Sequence, residues 1–270
     1  MQLIGAHRHI SHLMLLALVT TMMHVMASAQ RAELVLSPAR TRKLTSEQHR
    51  GHVFMERAGT FTLGRYRYIV RYCACVDKAH APYVAPLEGY IGMPEPSRAN
   101  WYHSGFLFIR INGKDIGTTP LSSMLAVESG KRAMLDMTWH HKLADVRVRF
   151  VGLPNDDKML VEITVERKAK ITSIEVFARC YPSFFTAWYK RTGARRILTP
   201  TSLIKQGERV TLPAKQNWWL VYYDEVFDVA RGEGDGPCAM LFIPEDAIDI
   251  TLNCGSYAVD TTVRFRPTAR

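Results

Sequence analysis

No stretch of the chain carries a strong amphipathic helical pattern, which argues against an α-helical fold. Internal repeats and low-complexity tracts are missing from the sequence. After residue 26, no apolar run is long enough to cross a bilayer. There is no GxSxG elbow, no HExxH and no P-loop, which excludes three common catalytic machineries. Gly232, Gly234 and Gly236 lack the spacing of a dinucleotide loop and sit in no β-α unit, so no nucleotide is expected. Acids are scarce relative to bases, 25 against 35, which leaves a net charge of +10.

The N-terminus also lacks acids. It carries Arg8 and several histidines, then an apolar run over 13–26, then Ala27-Ser28-Ala29. A basic start, a short apolar run and a small-x-small site read as a secretory signal peptide over residues 1–29, with Gln30 as the new N-terminus. The run is shorter than the ~20 residues a membrane anchor needs. The expected location is secreted or periplasmic, with no transmembrane segment after cleavage. Cleavage removes one arginine and no acid, so the net charge falls from +10 to +9. That excess favours anionic partners outside the cell, namely an anionic polysaccharide, the envelope surface or released nucleic acid, with a protein partner as the other option.

The five cysteines are Cys73, Cys75, Cys180, Cys238 and Cys254. Five is odd, so they cannot all pair within one chain. Cys73 and Cys75 lie two apart on an expected strand and face the same way. Their spacing with His80 matches no standard zinc pattern, and buried thiols acting as small apolar residues are expected.

What is abundant is period-two alternation. Over residues 61–76, Tyr66, Tyr68, Val70, Tyr72 and Val76 share one face, and Arg65, Arg67 and Arg71 the other. Asn112-Gly113 after a β run marks a hairpin. Residues 145–153, 158–166 and those from 171 read as an antiparallel meander. Further β runs start at 218, 238, 248 and 257, for roughly a dozen strands in all, and residues 45–57 are the one short helix candidate. The expectation is an all-β chain with an N-terminal extension over 30–59 and one domain over 60–270. That domain is expected to be an antiparallel β-sandwich, or a supersandwich.

The stretches GMPEPSRANWYHSGF and YYDEVFDVARGEGDGPCAMLF resemble parts of an uncharacterised family of exported bacterial proteins. The likeness would cover most of the mature chain and implies no established activity. The strand-rich, exported pattern also resembles the galactose-mutarotase-like supersandwich in architecture. That family's histidine acid and glutamate base have no matching positions here, and fold alone supplies no function.

Three segments are candidate sites. The long connection 77–105 is rich in Pro and Gly and carries Trp101, Tyr102 and His103. These aromatics either stack on sugar rings or close the open edge of the fold as a lid. The run FFTAWYKRTGARR sets Trp188 and Tyr189 beside Arg191, near a turn at Gly193. Cations beside a stacking platform suit a sulfated or uronic-acid glycan, and the bland alternative is a solvated hairpin tip. The second-choice site is the loop with Asp224, Glu225, Asp228, Arg231, Glu233 and Asp235. It reads as an ordered turn without metal, as a calcium site, or as catalytic carboxylates. No cofactor is expected beyond that option on calcium. Trp218 and Trp219 should face opposite ways, one of them in the core, and so should His140 and His141. The expected function is carbohydrate binding with a preference for anionic glycans. The alternatives are an epimerase or lyase using His103 or His140 with an acid of the 224–235 loop, and an envelope interaction protein.

Overall fold

The computed structural model describes residues 31–43, 53–75, 90–95, 99–102, 108–180, 194–225, 238–256 and 258–267. Along the chain run β1 (Ala32–Leu36), β2 (Arg40–Lys43), β3 (Val53–Leu63), β4 (Tyr66–Cys75), β5 (Tyr90–Glu95), β6 (Ala99–Tyr102), β7 (Phe108–Ile111) and β8 (Lys114–Asp115). Then come β9 (Ser123–Glu128), β10 (Ala133–His140), β11 (Ala144–Gly152), β12 (Met159–Arg167) and β13 (Ile174–Cys180). The last strands are β14 (Arg195–Leu198), β15 (Leu203–Lys205), β16 (Arg209–Pro213), β17 (Trp219–Asp224), β18 (Cys238–Leu241), β19 (Ala247–Cys254) and β20 (Val259–Phe265). The chain is all-β, as expected: among the described residues the only helical element is a 3-10 turn at Ile116–Thr118.

The expected β-sandwich or supersandwich is corrected. Four small sheets stand in a ring, in a four-bladed, propeller-like arrangement. The longest hydrogen-bonded path runs β1-β3-β4-β5-β6-β13-β20-β19-β16. Its two halves meet at a single residue pair, Tyr102 opposite Cys180, so they behave as separate sheets. Sheet I is then β1–β6, and sheet III is β7, β8, β13, β20, β19 and β16. Sheet II is β12-β11-β10-β9, and sheet IV is β15-β14-β17-β18. The paired strands are antiparallel.

Local chemistry explains the strand breaks. Asn112 and Gly113 take φ of 52° and 74°, the left-handed pair that a two-residue hairpin turn requires. Asn112 Oδ1 then accepts from the Thr172 and Ser173 backbone N–H groups at 2.7 and 3.3 Å, which ties the hairpin to the start of β13. The alternating run over 61–76 is not one strand: it turns at Gly64, with φ 68°, and joins β3 to β4. Residues 32–59, expected as an extension, supply β1, β2 and most of β3, and the expected boundary at residue 60 falls inside β3. Val53–Glu56 are strand where the short helix was expected over 45–57. The connection 77–105 contains β5 and β6, which pair with each other, and β5 also pairs with β4. The meander ends at β12, because β13 leaves it to pair with β20 and β7.

Two apolar cores hold the sheets together. In the first, Phe61, Leu63, Tyr68 and Val70 of sheet I meet Leu135, Met137, Val148 and Phe150 of sheet II, and Ile174 and Val176 of sheet III join them. In the second, Ile250, Leu252, Val259 and Val263 of sheet III meet Ile197, Ile204, Leu220 and Tyr222 of sheet IV. Burying a side chain of this kind contributes roughly 1.5–3 kcal/mol, so packing between sheets dominates the fold's stability. All five cysteines are buried, and Cys73 and Cys75 share the face that meets Phe54.

Candidate functional site

The most distinctive described surface is the outer face of sheet IV. On β17 the inward set is Leu220, Tyr222 and Asp224, all buried, and the outward set is Trp219, Val221 and Tyr223, each half-buried. Strand register carries this division across the sheet. Tyr222 lies opposite Ile197 and Cys238, and Ile197 opposite Ile204, so these residues form the inner face. The outer face has Trp219 opposite Leu241. Its middle row is Leu203, Leu198, Val221 and Ala239, and its last row is Lys205, Arg196 and Tyr223. Leu198, Leu203 and Leu241 are 39%, 47% and 62% exposed, and Trp218, just before β17, is 41% exposed. Neither tryptophan is core, so the expectation that one of the pair would be core is corrected. An apolar face with two aromatics and a cationic row is more than scattered exposed leucines.

Asn217 holds this face in place and is only 1% exposed. Its Oδ1 accepts from the hydroxyls of Thr199 at 2.8 Å and Thr201 at 2.7 Å. Its Nδ2 donates to the Pro213 carbonyl at 3.1 Å. The β14–β15 turn and the entry to β17 are thereby joined, and Phe242 N donates to the Trp218 carbonyl at 3.0 Å from the far side. No motif in the sequence marks Asn217, apart from its place directly before the two tryptophans.

The cationic row differs in its partners. Arg196 pairs with Glu225 at 2.8 Å. Lys205 is exposed and makes no ion pair among the described residues. Arg195, its neighbour's opposite in direction, is 1% exposed in the interior, with Asp224 opposite it on β17. Arg195 Nη1 donates to the Ser256 carbonyl. Burial lowers the Arg195 pKa, and the Asp224 charge opposes that effect. Cys254 donates its thiol to the Arg195 carbonyl at 3.4 Å, and burial pushes its pKa up to about 11. Such a thiol is a space-filler rather than a nucleophile.

The expected site residues are distributed as follows. Trp101 and Tyr102 fall on β6, while their side chains lie outside the described part. His103, Trp188, Tyr189, Arg191, Asp228, Arg231, Glu233 and Asp235 lie outside the described residues, as do Gly232, Gly234 and Gly236. Of the acidic loop, Asp224 is buried at the end of β17, and Glu225 is exposed and paired with Arg196. Among the described residues, no group of three or more His, Cys, Asp or Glu comes together to hold a metal. No helix there is long and apolar enough to cross a membrane.

The adjacent histidines do face opposite ways. His141 is buried, and its Nδ1 accepts from Leu143 N at 3.3 Å. His140 is exposed, with Nδ1 2.7 Å from Asp145 Oδ1. Among the described residues its acid partner is Asp145 on the next strand, and residues 226–235 of the acidic loop lie outside them. Asp145 also meets Lys168 Nζ at 2.5 Å. The His140 side chain is 63% exposed, so this pair sits in water, where an ion pair contributes little. No known protein family, curated protein or solved structure matches this chain.

Proposed function

We propose that the protein is an exported glycan-binding protein, and that the outer face of sheet IV takes a glycan chain, preferably an anionic one. The observation that carries this reading is the shared face of Trp219, Tyr223, Arg196 and Lys205. Trp219 and Tyr223 are four residues apart on one strand, roughly 13 Å at about 3.3 Å per residue. That distance lets a short oligosaccharide lie along β17 with an aromatic under each end. The apolar faces of sugar rings stack on such side chains, as they do on other amphipathic aromatics at interfaces. Lys205, with no acid partner among the described residues, supplies the preference for carboxylate or sulfate.

The same face supports a second reading. Leu198, Leu203 and Leu241 offer aliphatic surface that suits a protein partner in an envelope assembly. Affinity electrophoresis separates the two. Gels would carry neutral, uronic or sulfated polysaccharide, each at low and moderate salt. Retardation that survives salt, and that W219A abolishes and K205Q weakens on acidic glycans alone, is the expected result. Retardation by every anionic gel that salt erases would mean only net charge is sensed. No retardation on any gel would refute glycan binding and leave the protein-partner reading.

A further inference from the structure

A second surface lies where sheets II and III adjoin. Three turns meet there. The 140–144 turn carries Lys142, the segment after β12 carries Lys168 and Lys170, and the Asn112-Gly113 hairpin carries Lys114. Hydrogen bonds clamp the three together. The Leu143 carbonyl accepts from Lys168 N at 2.9 Å and from Ala169 N at 3.3 Å. Asn112 Nδ2 donates to the Lys170 carbonyl at 2.9 Å, and Asn112 N donates to the Ser173 carbonyl at 3.0 Å. Buried His141 marks the point on which the charges converge. Its pKa is lowered first by burial, and then by Lys142, Lys114 and Lys168, all within electrostatic reach.

The balance of charge is positive. Asp145 is shared by Lys168 and His140. Asp115 turns inward, where its Oδ1 accepts from Gly117 N at 2.7 Å. Lys114, Lys142 and Lys170 are exposed and make no ion pair among the described residues. Like charges held this close repel one another, so the cluster stabilises nothing by itself, and an anion that meets it relieves the repulsion.

We infer that this lysine corner docks the protein on an anionic phospholipid surface. The chemistry favours a headgroup layer over a polymer. Lysines on turn tips are flexible point charges, which suit diffuse phosphate groups rather than forked, oriented pairing. Among the described residues no Phe, Tyr or Trp stands among these lysines on the three turns to serve as the stacking platform of a single strand. The inference is independent of the glycan face on sheet IV.

The test is co-sedimentation with vesicles of phosphatidylcholine alone or mixed with phosphatidylglycerol. The probe variant is K114Q/K142Q/K170Q, and the control K131Q/R209Q/R40Q removes equal charge from other exposed positions. The expected result is binding to the mixed vesicles alone, weakened on the order of a hundredfold in the probe variant at about tenfold or less per lysine. The control and the charge-preserving K114R/K142R/K170R should bind like the parent, with unchanged melting temperatures in all variants. Equal losses in probe and control would overturn the inference, because net charge would then explain binding. So would absence of vesicle binding, including the case where the corner binds only soluble polyanions.

Discussion

Replacing Asn217 by alanine tests whether one buried amide organises the candidate face. The substitution removes the hydrogen bonds to Thr199, Thr201 and Pro213 and leaves the backbone bond from residue 217 N to the Ala214 carbonyl. The three losses are unequal. Thr199 can turn its hydroxyl to the Ser202 carbonyl, already 3.2 Å away, so it keeps a partner. Thr201 is exposed and can bond to water. The Pro213 carbonyl loses its side-chain donor but keeps the Gln216 N–H at 3.3 Å, on an exposed residue, so it is not stranded. At about 1 kcal/mol per bond, less what Thr199 and Thr201 recover, the total is roughly 2 kcal/mol. For a chain of this size that corresponds to a fall in Tm of about 4–8 °C. Thermal unfolding followed by circular dichroism reads it, with T201V as a partner variant that should cost well under about 1 kcal/mol. N217A should also weaken retention in glycan gels at temperatures where it stays folded, and T201V should not. A Tm for N217A within about 1 °C of the parent would refute the reasoning, because the amide would then hold nothing.

Gly152→Ala should destabilise by about 1–3 kcal/mol through overpacking. A Cβ there would stand 2.8 Å from both terminal methyls of Leu63, which is fully buried between sheets I and II. An unchanged urea midpoint would mean the two sheets part easily. Cys254 should resist iodoacetamide at pH 8 in the folded protein and label in urea, read by mass spectrometry, since burial raises its pKa to about 11; native labelling would contradict its placement. Lys168, and then His140, hold the Asp145 carboxyl below its ordinary range. A depressed carboxyl stabilises the folded state at neutral pH, and the contribution fades as pH falls from the unfolded value of about 4 through the lower folded one. D145N should therefore flatten the acid limb of a plot of Tm against pH, and superimposable curves would exclude the interaction.

Strand content was legible in the sequence because alternation survives wherever one sheet face is wet. β11 shows this, with buried and half-buried residues in strict alternation. β10 was not legible, because Met134 and Asp136 on its outer face are buried as well. Arg149 covers Asp136 with two hydrogen bonds of 2.7 Å, a contact between strands that no local window contains. β14 was hidden in a similar way, since Arg195 reads as a solvated cation and is in fact 1% exposed. The arrangement of sheets was further from reach. A sandwich and a ring of sheets need the same strands, and they differ in which ladders close. Here that difference rests on one pair, Tyr102 with Cys180, and on β13 leaving its predecessor for β20 and β7.

The candidate face was illegible for a sharper reason. In WWLVYY, the outward and inward sets are chemically alike, so period two leaves no trace in the composition. Trp219, Val221 and Tyr223 would serve as core as well as Leu220 and Tyr222 do. A slip of one residue exchanges the two sets, burying Trp219 and exposing Leu220. What selects the observed register is pairing at both edges, Ile197 and Cys238 against Tyr222, together with the polar clamp at the start of the strand. That clamp is Asn217, tied to the β14–β15 turn through Thr199 and Thr201. A residue with no side-chain contact to solvent thus decides which aromatics meet it. It follows that a loss of glycan binding in N217A should come with altered tryptophan fluorescence, since the same bonds set both the register and the exposed surface.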